Sequence, residues 1–293
     1  MKKNVLIVSA FIGCIMMSSI VYGADAVTSE SAISVDIDDV TEVDDTQIKL
    51  LASNTVSYAV SGGNLTFDTQ NGEIIGCDNS VTAANIPSSI NGVSVKSIGY
   101  GAFKNNTNLQ SIFFPSTLTA IDGNAFYGCT KLTSVNIPSS VNEVSYSAFQ
   151  KCTALSSLTL NSGISKIGDN AFNGCTALTT VTIPGTVEKI EDSAFKDCSA
   201  LTMVSLKSGI SSIGSNSFEN CSRLTGIVIP NTVNSIGYKA FNNCSTLSSV
   251  DLGTGVTSIE GYAFSECTKL MSITIPTSVK TLGYNAFYKD TAL

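Results

Sequence analysis

The chain has no histidine and no tryptophan among its 293 residues, only six prolines, and charged side chains make up just 13% of it. Without histidine neither a Ser-His-Asp nor a Cys-His nucleophilic site can be assembled, and the commonest metal ligand is missing. No Cys-x-x-Cys pair occurs either, so zinc has no donor set, and neither a metal nor a cofactor is expected. Clustered carboxylates are as scarce. Glu188, Glu191 and Asp192 form the only group outside the N-terminal region, which leaves acid-base catalysis little to work with, and no enzyme is expected. The net charge of −7 is also misleading as a surface property, because Asp25, Glu30, Asp36, Asp38, Asp39, Glu42, Asp44 and Asp45 stand against Lys49 in one stretch. Residues 51–293 are left with fifteen acids and thirteen bases, a near-neutral surface with no electrostatic footprint for nucleic acid.

Lys2 and Lys3 precede an apolar run from Val5 to Val21, and small residues follow at Gly23, Ala24 and Ala26, so residues 1–24 read as an export signal peptide. Ser9, Gly13, Ser18 and Ser19 interrupt the run, which weighs against a membrane span. The apolar Ile15-Met16-Met17 after Cys14 weighs against a lipoprotein start. Residues 25–50 read as an acidic flexible leader, too poor in large apolar side chains to offset the entropy of ordering. The expected location is secreted or cell-surface, with the membrane touched only through the signal or an anchor.

What the sequence does have is a period. Phenylalanine recurs every 23 residues from Phe103 to Phe287, nine times without a miss, and leucine does so six places later, from Leu109 to Leu293. Self-similarity at this spacing means one supersecondary unit stacked many times, since a single unit cannot bury its own apolar face. Within the unit that starts at Leu132, apolar Leu132, Val135 and Ile137 beside polar Ser134 and Asn136 give the alternation of a half-buried strand. Successive strands are expected to pair in parallel as rungs. A turn follows, marked by Pro138, Pro184, Pro230 and Pro276 in alternate units and by Gly163, Gly209 and Gly255 between them. A second apolar pair such as Val141 and Val144 marks the return side, and then an Ala-Phe pair, where Phe fills the interior and Ala admits the neighbouring backbone. Tyrosine obeys the doubled period, at Tyr100, Tyr146, Tyr238 and Tyr284, with Asp192 as the exception. Residues 51–80 depart from the pattern and read as an N-terminal β-hairpin cap, with strands over Tyr58–Phe67 and Glu73–Cys77 and an Asn71-Gly72 turn. Residues 81–293 read as the array. Leu293 falls in mid-unit with no atypical closing repeat, and the expectation is an array cut short there.

Seven cysteines, Cys129, Cys152, Cys175, Cys198, Cys221, Cys244 and Cys267, share one height of the coil. Neighbours would stand about 5 Å apart with parallel Cβ directions, a distance that permits a bridge and a direction that strains it. A ladder of buried free thiols is the favoured reading, and Cys77, alone in the hairpin, is the better candidate for a reactive thiol. Candidate binding residues lie on the outward strand positions Ser134, Asn136, Ser157, Thr159, Thr180, Thr182, Ser205 and Asp251, and on the turn tyrosines Tyr146, Tyr238 and Tyr284. The strand columns are either a solvated face dressed with hydroxyls or a continuous polar surface of roughly 40 Å, about nine rungs at about 4.8 Å, for an extended partner. The tyrosines either pack each on its own coil or form a row of exposed rings that stacks on sugar or peptide.

The segments LTSVNIPSSV, KIGDNAFNGCTAL and VTSIEGYAFSECTKL resemble the BspA-type, or Treponema-type, leucine-rich repeat proteins over residues 81–293. The usual leucine-rich consensus would place Asn or Cys where Ser140, Gly163, Thr186 and Gly209 stand; here Cys comes three residues after Phe, as in that subfamily. The resemblance implies a right-handed solenoid with a parallel sheet on its concave face, short irregular or 3-10 returns and little helix. It also implies a bacterial adhesin binding host or neighbouring-cell surface proteins or glycans. A passive architectural spacer or coat component is the alternative.

Overall fold

The computed structural model describes residues 54–293. The expected signal peptide and acidic leader, and residues 51–53 of the expected cap, lie outside the described residues. From Leu109 to Lys269 each 23-residue rung carries a strand, a turn, a two-residue return strand and a tight turn around phenylalanine; the unit before these adds a small hairpin of Ser89–Ile90 and Val93–Ser94, and the one from Leu270 keeps only its return strand. In Ser134–Ile137, Val135 and Ile137 face the core and Ser134 and Asn136 face solvent. Parallel pairing sets each residue against the one 23 places on: Ser134 with Ser157 on the strand side, Val144 with Ile167 on the return side. The result is a right-handed leucine-rich repeat solenoid, with no helix among the described residues.

The two sides differ from the expected single sheet. The two-residue return strands are the continuous element, running through one twelve-stranded sheet. The longer strands split into two four-stranded sheets, with no ladder between Ser157–Leu160 and Thr180–Ile183. At that seam Leu158 is half-buried, whereas Val135 and Val181 on either side are buried. It is also the only residue of its column from Ile112 to Ile273 that is not β-branched, and so fits a pleated strand least well.

Inside the coil the phenylalanine rings stack face to face, from Phe103 on Phe126 at 4.9 Å to Phe264 on Phe287 at 5.7 Å between centroids. Holding each ring inward takes two left-handed residues, two before and two after it. Asn124 and Gly128 flank Phe126, and Asn216 and Asn220 flank Phe218, all at φ between 55° and 72°. Asn and Gly, which bear positive φ at least cost, fill many of these positions, while Ser147, Lys151, Lys239 and Tyr262 adopt the same conformation elsewhere in the two columns. The seven cysteines are buried free thiols, and each donates its S–H to the carbonyl of the phenylalanine one rung back, as Cys129 does to Phe103 at 3.0 Å and Cys267 to Phe241 at 3.3 Å. The same column is headed by Asn106 and ends in Asp290. The Asn106 amide donates to the carbonyl of Val81 at 3.2 Å and to Cys77 Sγ at 3.6 Å, while Asp290 Oδ1 accepts the Cys267 N–H at 2.8 Å.

At the N-terminal end, β1 (Thr55–Val60), β2 (Gly63–Asp68) and β3 (Glu73–Cys77) form an antiparallel meander, and β3 joins the return sheet in parallel through Ile74 and Ile98. The stretch Tyr58–Phe67, expected as one strand, contains a turn at Ser61-Gly62. Gly62 takes φ of 88°, and a Cβ there would stand 2.3 Å from the Ser80 carbonyl oxygen. The apolar positions change phase across that turn, from Tyr58 and Val60 to Leu65 and Phe67, and Gly62-Gly63 is its signal in the sequence.

Candidate functional site

Ser134, Asn136, Ser157, Thr159, Thr180, Thr182 and Asp251 stand exposed on the strand face, and Ser205 is half-buried there. Register aligns them: Ser134 beside Ser157, Asn136 beside Thr159, and Thr182 beside Ser205. Hydroxyls one position earlier in the rung are consumed internally. Thr133 donates to the Gln110 carbonyl, Ser156 to Thr133, Thr202 to Thr179, Thr225 to Thr202 and Ser248 to Thr225, at 3.0 to 3.4 Å. By contrast, the hydroxyls of Ser134, Ser157, Thr159, Thr180, Thr182 and Ser205 have no side-chain hydrogen bond among the described residues, and only Asn136 is engaged, accepting from Asn161 at 3.0 Å. The face thus presents unpaired donors and acceptors on a rigid, evenly spaced backbone.

Sequence reasoning missed the apolar residues on this face as functional candidates. Phe113, with 65% of its surface exposed, rises from the first rungs, and Met203, Val228 and Met271 are exposed farther along. Phe113 separates two shallow depressions, one of about 190 Å³ walled by Asn136, Pro138, Ser157 and Thr159, the other of about 250 Å³ walled by Tyr58, Val60 and Asn85. Pockets for small organic ligands are commonly about 300 Å³ or more and enclosed, so this surface suits an extended partner better than a small molecule. The signal available in sequence was a large apolar residue at an outward position of the alternation.

Along the turn edge, Tyr146 and Tyr284 are exposed and Tyr238 half-buried. Each of the exposed pair leans back over a glycine of the preceding rung: a Cβ on Gly123 would stand 2.6 Å from the Tyr146 ring, and one on Gly261 2.9 Å from that of Tyr284. The rings therefore pack neither on their own coil nor as isolated posts. Tyr100 and Tyr146 meet at 6.5 Å between centroids, and the Tyr284 phenol hydrogen-bonds that of Tyr238, which raises its pKa. Tyr262 stands edge-on between the latter two, 5.9 Å and 5.2 Å away.

The ion pairs lie off the strand face. Lys166 pairs with Glu143 at 3.1 Å and Lys289 with Glu266 at 3.1 Å, both at the surface, where solvent and salt screen such pairs. Glu188, Glu191 and Asp192 do not act together. Glu191 pairs with Lys189, and Asp192 Oδ1 accepts the Ser215 N–H at 2.7 Å. Among the described residues no group of His, Cys, Asp and Glu could hold a metal ion. Cys77, expected to be reactive, is half-buried, and burial pushes its thiol pKa up, with the Asn106 hydrogen bond opposing. The ladder cysteines are fully buried and raised further, so Cys77 stays the more accessible thiol of the described set.

The profile of the BspA type leucine rich repeat region matches residues 76–202 and 192–293. The chain belongs to that family. Its BspA-type coil resembles solved structures over most of its length. The leucine-rich repeat protein of T. pallidum aligns with a TM-score of 0.51 at 22% identity, over 73% of this chain and 91% of its own. A leucine-rich repeat protein from Eubacterium ventriosum aligns at 0.49 and 18%, over 82% of this chain and 96% of its own. A protein described as a leucine rich cell surface protein, from Faecalibacterium prausnitzii, aligns at 0.39 and 22%, over 83% and 94%. At these identities the T. pallidum likeness speaks to the fold alone. No curated protein sequence matches the chain. BspA-type leucine-rich repeats are interaction scaffolds rather than catalysts, and the chain is one of them.

Proposed function

We propose that this chain is a secreted or cell-surface adhesin that holds an extended segment of a host or neighbouring-cell protein along its strand face. The observation that carries the reading is the division of hydroxyls: those of Thr133, Ser156 and Thr202 are spent on the neighbouring rung, while those of Ser134, Ser157, Thr159, Thr180 and Thr182 are left unpaired beside exposed Phe113 and Met203. A lone outward hydroxyl is ordinary, but a register of them flanked by apolar side chains offers both the hydrogen bonds and the buried area that a protein partner needs. The basic, apolar and small residues of the N-terminal stretch support export.

The test is a pull-down of extracellular-matrix proteins and surface glycans, compared between the parent and the double variant Thr159→Lys with Thr182→Lys. Both side chains point outward, so folding is expected to survive and capture to be lost. Because Asp251 is the only charge on the two strand columns, capture should change little between about 0.05 and 0.3 M salt. Undiminished capture by the double variant would show that the strand face is not the binding surface, and capture of nothing by the parent would leave a passive spacer.

A further inference from the structure

The turn edge carries a pair of tyrosines over a glycine twice, the second pair with Tyr262 edge-on between its rings. Tyr100 and Tyr146 flank Gly123, and Tyr238 and Tyr284 flank Gly261, with the second tyrosine of each pair lying where a glycine side chain would be. The two constructions are 138 residues, or six rungs, apart, which is roughly 29 Å at about 4.8 Å per rung. Between them the column holds Asp169, Asp192 and Ser215, which bond one another's backbone instead: Asp192 N–H to Asp169 Oδ1 at 3.1 Å, and Ser215 N–H to Asp192 Oδ1 at 2.7 Å. Aromatic rings are therefore not needed to hold this edge together. The tyrosines at its two ends have another use.

Three features fix the chemistry. Tyr100, Tyr146 and Tyr284 are each more than half exposed, and an exposed phenol offers a flat apolar ring face with a hydrogen-bonding rim. A carboxylate precedes each glycine in sequence, Asp122 before Gly123 and Glu260 before Gly261, where Glu260 Oε2 accepts the Tyr238 N–H at 3.1 Å, and negative charge so near each pair disfavours an anionic partner. The construction is duplicated on a rigid scaffold, and a partner that itself repeats can occupy both copies. We propose that the two tyrosine-glycine-tyrosine clamps are a bivalent site for a neutral polysaccharide chain, whose pyranose faces lie on the rings and whose hydroxyls bond the carboxylates. Occupying both clamps with one chain turns the second contact into an intramolecular event, which raises avidity by about 10² to 10⁴ without any new contact. This site is separate from the strand face and does not depend on it.

Affinity electrophoresis of the full chain through gels containing dextran, mannan, laminarin or neutral xylan tests the idea, with hyaluronan and poly-L-proline as controls. At least one neutral polymer should retard the parent. Tyr146→Ala and Tyr284→Ala should each weaken retardation by about tenfold or more, by loss of avidity, and together abolish it. Gly123→Ala with Gly261→Ala, which displaces both rings while keeping every tyrosine, should match the double tyrosine variant. A trisaccharide cut from the same polymer, too short to reach both clamps, should bind each single tyrosine variant with the parent's affinity and half its stoichiometry. The Thr159→Lys, Thr182→Lys variant should be retarded like the parent, which separates this site from the strand face. Retardation by none of the four neutral polymers, or only by hyaluronan or poly-L-proline, or undiminished retardation of the double tyrosine variant with an unchanged melting temperature, would overturn the proposal.

Discussion

A cysteine placed one rung above a phenylalanine carbonyl has a neutral hydrogen-bond acceptor and no water, and both conditions keep its proton on. Burial raises the thiols of Cys129 and Cys198 to about 12, and those of Cys152, Cys175 and Cys221 well above their ordinary value. Since the thiolate is the species that alkylates and exchanges, the seven ladder cysteines should resist iodoacetamide at pH 8 in the native protein and react fully once it is unfolded. Intact-mass spectrometry should show no change on reduction, and a series of two-dalton shifts confined to Cys129–Cys267 would sink the free-thiol ladder. The neighbouring phenylalanine column makes a second demand. Phe195 stacks on Phe172 at 5.3 Å and on Phe218 at 5.5 Å, so Phe195→Ala removes a ring from mid-column and should cost about 3 to 5 kcal/mol in denaturant unfolding. A variant that unfolded like the parent would mean the rings do not form the core.

At the scale of the rung, stability rests on small polar links that a hydrophobic pattern does not reveal. Thr202 Oγ1 donates to the Thr179 carbonyl at 3.0 Å, whereas Thr180, of the same residue type in the preceding rung, has no side-chain partner among the described residues. Thr202→Val should therefore destabilise by about 1 kcal/mol, and Thr180→Val by close to nothing, as read from the two shifts in denaturant midpoint. Equal shifts would mean that the hydroxyl ladders carry no stability. The contrast also shows what was legible in advance. Alternation around Val135 and Ile137 placed Ser134 and Asn136 outside, and the 23-residue columns put Phe, Ala, Leu and Cys inside; both follow from burial, which periodicity reports directly. Whether a given hydroxyl is spent or free depends on which way it faces across a rung, and Thr202 and Thr180 look alike in sequence. The lean of Tyr146 over Gly123 was equally hidden, because it joins residues 23 apart that share no chemical likeness. Asn106 and Asp290 close the cysteine column, yet they read as breaks in it, since a column is recognised by identity and its ends are capped by function.

Across the whole molecule the shifted carboxyls point one way. Burial raises Glu73 and Asp122, with repulsion from Asp122 and Glu143 respectively adding to it, and raises Asp290 from 3.8 to about 6. A carboxyl with a raised pKa holds its proton in the folded chain at a pH where the unfolded chain has released it. Stability then falls as pH rises, for Asp290 between 3.8 and about 6, and the lost part stays lost above that. The thermal midpoint should be higher at pH 5 than at pH 7.5, the reverse of an acid-labile protein whose carboxylates are paired. Asp290→Asn separates this group from the others. The amide oxygen can accept the Cys267 N–H as the carboxylate does, and Asn106 already heads the same column, its side-chain oxygen accepting the Leu109 N–H at 3.1 Å. The variant should gain midpoint at pH 7.5, where Asp290 is charged, gain less at pH 5, where it is largely neutral, and so show a shallower pH dependence than the parent. A parent midpoint that rises with pH, or a variant that loses stability equally at both values, would show that burial of this carboxyl does not govern the pH response.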